Sequence, residues 1–273
     1  MILKKDNISN KPVQKEKPKK VDYFSLDGFN AVVAGADIGV GPEISRILAE
    51  AGASVALVGE SKTRINDLAE TLAQQYHVDV LPVVQNVLDD QGLKAAVDEV
   101  CRQFIGYEIL VNNMGFAVPN RIQEMPRSTF LYHYDQNMSR RLEVTLSFAE
   151  RGMFGYEMTR IIHVVSQLGA KEGTAFPACA FYMANDNFRP AAKALAVEWA
   201  EENVTVNNLC LGIFNLDGDD EDDLFRETIR WKTPMFCHGN VENLATALLF
   251  LASPHSSFVT GIDLPIDGGF HIN

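Results

Sequence analysis

Three glycines raise the first chemical question. In AVVAGADIGVG, Gly35, Gly39 and Gly41 stand between an apolar β-branched run and the helical stretch EISRILAEAGA. Glycine tolerates positive φ in a tight turn, and its missing side chain lets a pyrophosphate approach the backbone. The N-terminus of the following helix adds N–H donors and partial positive charge. A glycine cluster that follows a first strand and opens a helix marks a dinucleotide cradle. A second stretch, AFYMANDNFRP from Ala180 to Pro190, offers two aromatics and, four residues after each, Asn185 and Asp186. At that spacing the members of each pair share one helix face.

A regular frame is needed to bring these groups together. Short apolar runs alternate with helical patterns along the chain: NAVVAGA, SVALVG, VDVLPVVQNV, EILVNNMG, TRIIHVVSQLG, VTVNNLCLG and FVTGIDLPIDGG read as strands. Between them, segments such as TRINDLAETLAQQYH, LKAAVDEVCRQF and FRPAAKALAVEWAEE have helical spacing. TFLYHYDQNMSRRLEVTLSFAERGM reads as one long helix. Strands alternating with helices predict an α/β fold: a single, doubly wound, Rossmann-type parallel sheet covered on both faces.

Composition narrows the function. The chain has 273 residues and a net charge of −12, yet residues 1–20 carry seven lysines against Asp6 and Glu16. Residues 1–22 are expected to be a disordered basic tail, and residues 23–273 the dinucleotide-binding domain. An acidic body repels phosphate backbones, so no nucleic acid partner is expected. No apolar run is long enough to span a membrane, no secretory h-region is present, and a cytoplasmic protein is expected. Four cysteines without a C-x-x-C pair predict neither a disulfide framework nor a metal site. The acidic stretch at 215–223 lacks the regular ligand spacing of a metal loop and reads as a solvated loop that would disfavour anionic substrates.

In its glycine loop, the chain resembles the short-chain dehydrogenase/reductase family, in the branch of ketoacyl-carrier-protein reductases and sugar-acid dehydrogenases. Asn112-Asn113-Met114-Gly115 is similar to that family's NNAG turn, with methionine for alanine. Asn137 falls at its helix asparagine, Ser166 at its strand-end serine, and Gly212 at its Pro-Gly turn, where Leu211 replaces proline. FLASPHSSFVTGIDLPIDGG matches the closing motif closely, and the resemblance spans about residues 24–270. It implies hydride exchange between a nicotinamide cofactor and a carbonyl or alcohol, a small-molecule substrate and a homo-oligomer, dimer or tetramer.

The resemblance also assigns roles. Ser166 would hold the substrate oxygen and Asn137 would anchor a water chain. A tyrosine would move the proton, with a lysine four residues on to lower its pKa. Counted without gaps, those two positions fall on Phe181 and Asn185; shifted by one, they fall on Tyr182 and Asp186. Neither register contains a lysine. Ser166, Tyr182 and Asn137 are therefore the expected catalytic set, working through an atypical proton relay. A cation beside a phenol is worth about 1–3 pKa units, so its loss predicts impaired chemistry. A catalytically inactive dinucleotide-binding or partner subunit and a non-redox dehydratase or isomerase stay open beside the oxidoreductase.

Gly35, Gly39, Gly41, Glu60, Asn86, Asn113, Gly115 and Gly212 are the expected cofactor contacts. Gly59 stands where an acid usually meets the adenosine ribose, Glu60 stands where an arginine would meet a 2′-phosphate, and Asp37 is acidic as well. Two carboxylates would repel that phosphate, so NAD(H) is expected over NADP(H).

Overall fold

The computed structural model describes residues 21–115, 121–154, 158–167, 179–214, 227 and 230–272. The basic tail over residues 1–20 and the acidic stretch at 215–223 lie outside the described residues. Seven strands form one parallel sheet: β1 Asn30–Ala34, β2 Ser54–Gly59, β3 Val80–Val84, β4 Ile109–Asn112, β5 Thr159–Ser166, β6 Val204–Leu211 and β7 Asp263–Ile266. Their order across the sheet is β3-β2-β1-β4-β5-β6-β7. The order reverses between β1 and β4, and in open α/β sheets ligands settle in the crevice that such a reversal opens beyond the strand ends.

The central strands are apolar because both of their faces are covered, while β3 and β7 at the edges are only partly buried. On one face, α1 (Gly41–Glu50), α2 (Lys62–Tyr76) and α7 (Val241–Ala252) bury Ile44, Ile65 and Leu248. On the other, α3 (Asp90–Gln103), α5 (Arg140–Gly152) and α6 (Cys179–Glu198) bury Val97, Phe148 and Phe188. Helix starts are set by polar caps: Ser61 accepts from Arg64 N–H, Asp89 accepts from Gly92 N–H at 2.7 Å, and Asn240 exchanges bonds with Asn243. No helix among the described residues is long and apolar enough to cross a membrane.

Two helices differ from the sequence reading. The long helix expected across Thr129–Met153 is split into α4 (Arg127–Tyr134) and α5 by a wide π turn over Asp135–Ser139. Wide turns of this kind insert one residue into an α-helix. Helix α6 begins at Cys179, earlier than its apolar periodicity suggested, and runs through Pro190. The stretch AFYMANDNF is thus helical and lies on the same helix as the apolar segment that follows.

Candidate active site

The glycine loop leaves β1 and enters α1 within a few residues. Gly35 and Gly39 have φ of +80° and +50°. A Cβ on Gly35 would lie 2.8 Å from the Asn113 carbonyl oxygen, and one on Gly41 would lie 2.1 Å from the Gly35 carbonyl oxygen. These two glycines therefore let the turn close. Gly39 faces open space and leaves a cradle for a ligand. The Asn113 side-chain amide donates to the carbonyls of Gly35 and Ile38, both at 2.9 Å, and so pins the loop to the end of β4.

From that loop a crevice runs both ways across the strand ends. One compartment, of about 250 Å³, reaches β2 and α2, with Gly59, Glu60, Arg64 and Gln136 on its wall. The other, of about 270 Å³, reaches the ends of β5 and β6, with Ser166, Phe181, Asn185 and Gly212 on its wall. Ile38, Met114 and Gly115 line both. An extended ligand laid across Gly115 would occupy the two together, and the glycine cradle between them fits a dinucleotide.

At the far compartment the structure resolves the register. Phe181, rather than Tyr182, stands on the wall, and Asn185 stands with it. Tyr182 is half-buried beside Phe181, with ring centroids 5.6 Å apart, and does not line either compartment. The expected proton donor is therefore displaced from the crevice by one residue, which is about 100° of helix rotation. Asn185 is 1% exposed and clamps the strand end: its Nδ2 donates to the Ser166 carbonyl at 3.0 Å, and its Oδ1 accepts from Ser166 N–H at 3.3 Å. Arg189, one turn on, also donates to the Ser166 carbonyl and to Gln167 Oε1, and pairs with Asp186 at 3.5 Å. Burial raises the Asp186 carboxyl, with Arg189 opposing the shift.

Asn137 lies in the π turn, fully buried, and its Nδ2 donates to the His133 carbonyl at 2.9 Å. Its Oδ1 points toward Gly115 from behind, 4.0 Å from where a Cβ would stand. Asn86 is exposed; its side chain accepts from Leu88 N–H in a local turn, and it does not line the crevice. Of the expected cofactor contacts, the structure gathers Gly35, Gly39, Glu60, Asn113, Gly115 and Gly212 along the crevice.

Sequence reasoning missed Arg141. This guanidinium is 2% exposed and lines the far compartment. It donates to the Met114 carbonyl and lies 5.1 Å over the Phe188 ring. Burial lowers its pKa to about 10. Neighbouring His163 is driven down to about 3, by burial first and by Arg141 second, so it is neutral at physiological pH. A signal existed: Arg141, Val144, Thr145 and Phe148 form one buried stripe on α5. Arg140, about 100° away on the helix, pairs instead with the exposed carboxylates of Asp90 and Glu143.

Asp37 is also committed. Its Oδ2 accepts from the N–H groups of Glu60 and Ser61, at 3.2 and 2.8 Å. Its Oδ1 would stand 2.3 Å from a Cβ on Gly59, which is why position 59 has no side chain.

Comparison with known proteins agrees with this geometry. Residues 34–271 match the family model described as enoyl-(acyl carrier protein) reductase. Galactitol 2-dehydrogenase (L-tagatose-forming) of Cereibacter sphaeroides is 32% identical over 263 residues, covering 92% of this chain and all of that protein. A short-chain type dehydrogenase/reductase from Mycobacterium marinum superposes with a TM-score of 0.85 at 25% identity, covering 92% of this chain and 99% of that one. A gluconate 5-dehydrogenase from Burkholderia cenocepacia, solved in complex with NADP and tartrate, gives 0.81 at 26% identity, covering 91% and 97%.

The NADP complex overturns the expected preference for NAD(H). The physical reason lies in the near compartment. The Asp37 carboxylate is spent on backbone N–H groups, while Arg64 and the N-terminus of α2 border the same space and favour an added phosphate.

Proposed function

The chain belongs to the short-chain dehydrogenase/reductase family, and from that premise we propose an NADP(H)-dependent oxidoreductase that interconverts an alcohol and a carbonyl on a small polyol- or sugar-type substrate. One observation carries this reading: a continuous crevice joins the glycine loop to Ser166, with Arg64 at one end and the strand-end serine at the other. The relatives whose names specify polyol and sugar-acid substrates support the substrate class.

Each residue has a task that follows from its place. The glycine loop would hold the pyrophosphate on bare backbone, and Arg64 would meet an adenosine 2′-phosphate. When bound, the nicotinamide supplies or takes up the hydride. The Ser166 hydroxyl holds the substrate oxygen, on a strand end that Asn185 and Arg189 keep rigid. Phe181 shapes the wall and carries no proton. No lysine lines the crevice among the described residues. The proton therefore passes between the substrate oxygen and water at the open mouth, which is the atypical relay. General acid–base help is typically worth about 10²–10⁴ in rate, so slow turnover is expected.

Fluorescence titration with NADPH and NADH, followed by polyol and ketose turnover in wild type and Ser166→Ala, tests the reading. It predicts tighter binding of NADPH and turnover that depends on Ser166. Binding without turnover on any substrate would favour the inactive subunit, to which the hydrocarbon at Phe181 points. Absence of dinucleotide binding would end the reading.

A further inference from the structure

The far compartment holds a cation that has too few partners. Arg141 is the one charged side chain on this wall among the described residues. Its Nη2 donates to the Met114 carbonyl, but its Nε and Nη1 are buried and without hydrogen-bond partners. No carboxylate pairs with it among the described residues. A buried guanidinium left this way is costly, since both desolvation and unmade hydrogen bonds count against it. Its contact with the Phe188 face offsets only a part of that cost. The other cations near the strand ends are engaged: Arg189 on Ser166, Gln167 and Asp186, and Lys193 on Asp263 at 2.6 Å.

Position narrows what would complete Arg141. Its Nη2 lies 3.3 Å from where a Cβ on Gly115 would stand, so any side chain at 115 would press on the guanidinium from the mouth of the crevice. The glycine loop lies along one side of this compartment, and Ser166 and Asn185 along the other. A dinucleotide that places its pyrophosphate on the loop and its reactive ring toward Ser166 has one oxygen-rich group between them, the ribose on the nicotinamide side.

We infer that Arg141, reaching in from α5, donates to the nicotinamide-side ribose of the bound dinucleotide and supplies from a different helix the cation that α6 lacks at Asn185. The inference rests on the oxidoreductase reading and assigns one of its binding contacts. Nη2, which stands beside Gly115 on the wall of the compartment, has a second N–H placed to meet a ribose hydroxyl. A planar guanidinium held by Met114 and Phe188 is already oriented, so little rotamer freedom is lost on binding.

The test measures binding on the full chain. NADPH and adenosine 2′,5′-bisphosphate, which lacks the nicotinamide half, are titrated against wild type and Arg141→Met. The variant is expected to bind NADPH roughly ten- to hundredfold more weakly and to hold the bisphosphate within about twofold of wild type. Equal loss on both ligands, or no loss on NADPH, overturns the assignment. Asn185→Lys in the wild-type background provides a measurement that does not depend on the folding of Arg141→Met. If Arg141 already serves the ribose, an added ammonium is redundant and NADPH binding is unchanged or weaker. A tightening of about tenfold would show an unserved cation site and overturn the inference. Failure of wild type to bind NADPH would instead remove the function on which the inference stands.

Discussion

At the glycine loop the close approaches are made by backbone: Gly41 against the Gly35 carbonyl, and Gly35 against the carbonyl of Asn113. At the other end of the crevice the approaches are made by side chains, with Asn185 on Ser166, Arg141 on Met114, and Phe181 on the wall. Backbone packing tolerates no substitution, because a single added carbon meets an atom that is unable to move. Side-chain packing tolerates exchange wherever another group fills the volume and the polar partners are matched. Exchange is therefore open at the Ser166 end of the crevice and closed at the glycine loop.

Changes at the reacting end should produce the largest effects. Phe181→Tyr returns a phenol to the crevice while leaving Asn185 on Ser166. Turnover is expected to rise by about 10²–10⁴, read from steady-state kinetics. An unchanged rate would mean that proton transfer does not limit the reaction. At the rigid end, Gly35→Val places a β-branched residue at positive φ against the Asn113 carbonyl. It is expected to lose about 3 kcal/mol in urea denaturation. A mild effect would show that the loop yields, and the contrast between the two ends would weaken.

Smaller effects sharpen the same contrast. Asn185→Ala removes one hydrogen bond from each backbone polar group of Ser166, and the carbonyl keeps the one from Arg189. A loss of about 1–3 kcal/mol is expected by denaturation, together with slower turnover. Arg64→Ala is expected to weaken NADPH by about fivefold and to spare NADH, by competitive fluorescence titration.

The smallest effect concerns pH. Burial alone would raise the Asp263 carboxyl, but the bonds from Lys193 and Asn208 outweigh it and hold the group below its ordinary value. A carboxylate depressed in the folded state adds stability above its unfolded pKa of about 3.9 and loses it as pH falls through the folded value. Asp263→Asn should lower the melting temperature slightly at pH 7, where the charged group contributes, and flatten the profile below about pH 4, where wild type loses that contribution.

The frame was legible because it rests on local rules. β-branched apolar runs, glycine turns and helical stripes each fix an element without reference to distant residues, and the seven strands fall where those runs lie. The glycine cradle was legible for the same reason. Arg141 was not, because SRRLEV reads as a pair of solvated arginines until the helix phase is known. The stripe of Val144, Thr145 and Phe148 carries that phase, but a wide turn that no propensity signals hides it while α4 and α5 are read as one helix. Asp37 does line the near compartment, but its partners there, the N–H groups of Glu60 and Ser61, come from the neighbouring strand end and are not visible in the sequence. Sequence spacing alone left two registers for the AFYMANDNF segment, and only the packed helix separates Phe181 from Tyr182.

The wide turn over Asp135–Ser139 has one more effect. It absorbs one residue, so each later position on α5 points about 100° behind where uniform winding would aim it. Wound uniformly, the helix would give Arg140 the bearing of Arg141, and a guanidinium would still look into the crevice. The hydrocarbon side would fare worse, since Glu143 and Ser147 would then replace Val144 and Phe148 against the sheet. The adjacent arginines are thus indifferent to a slip of one position, and the oily stripe beneath them is what locks the screw.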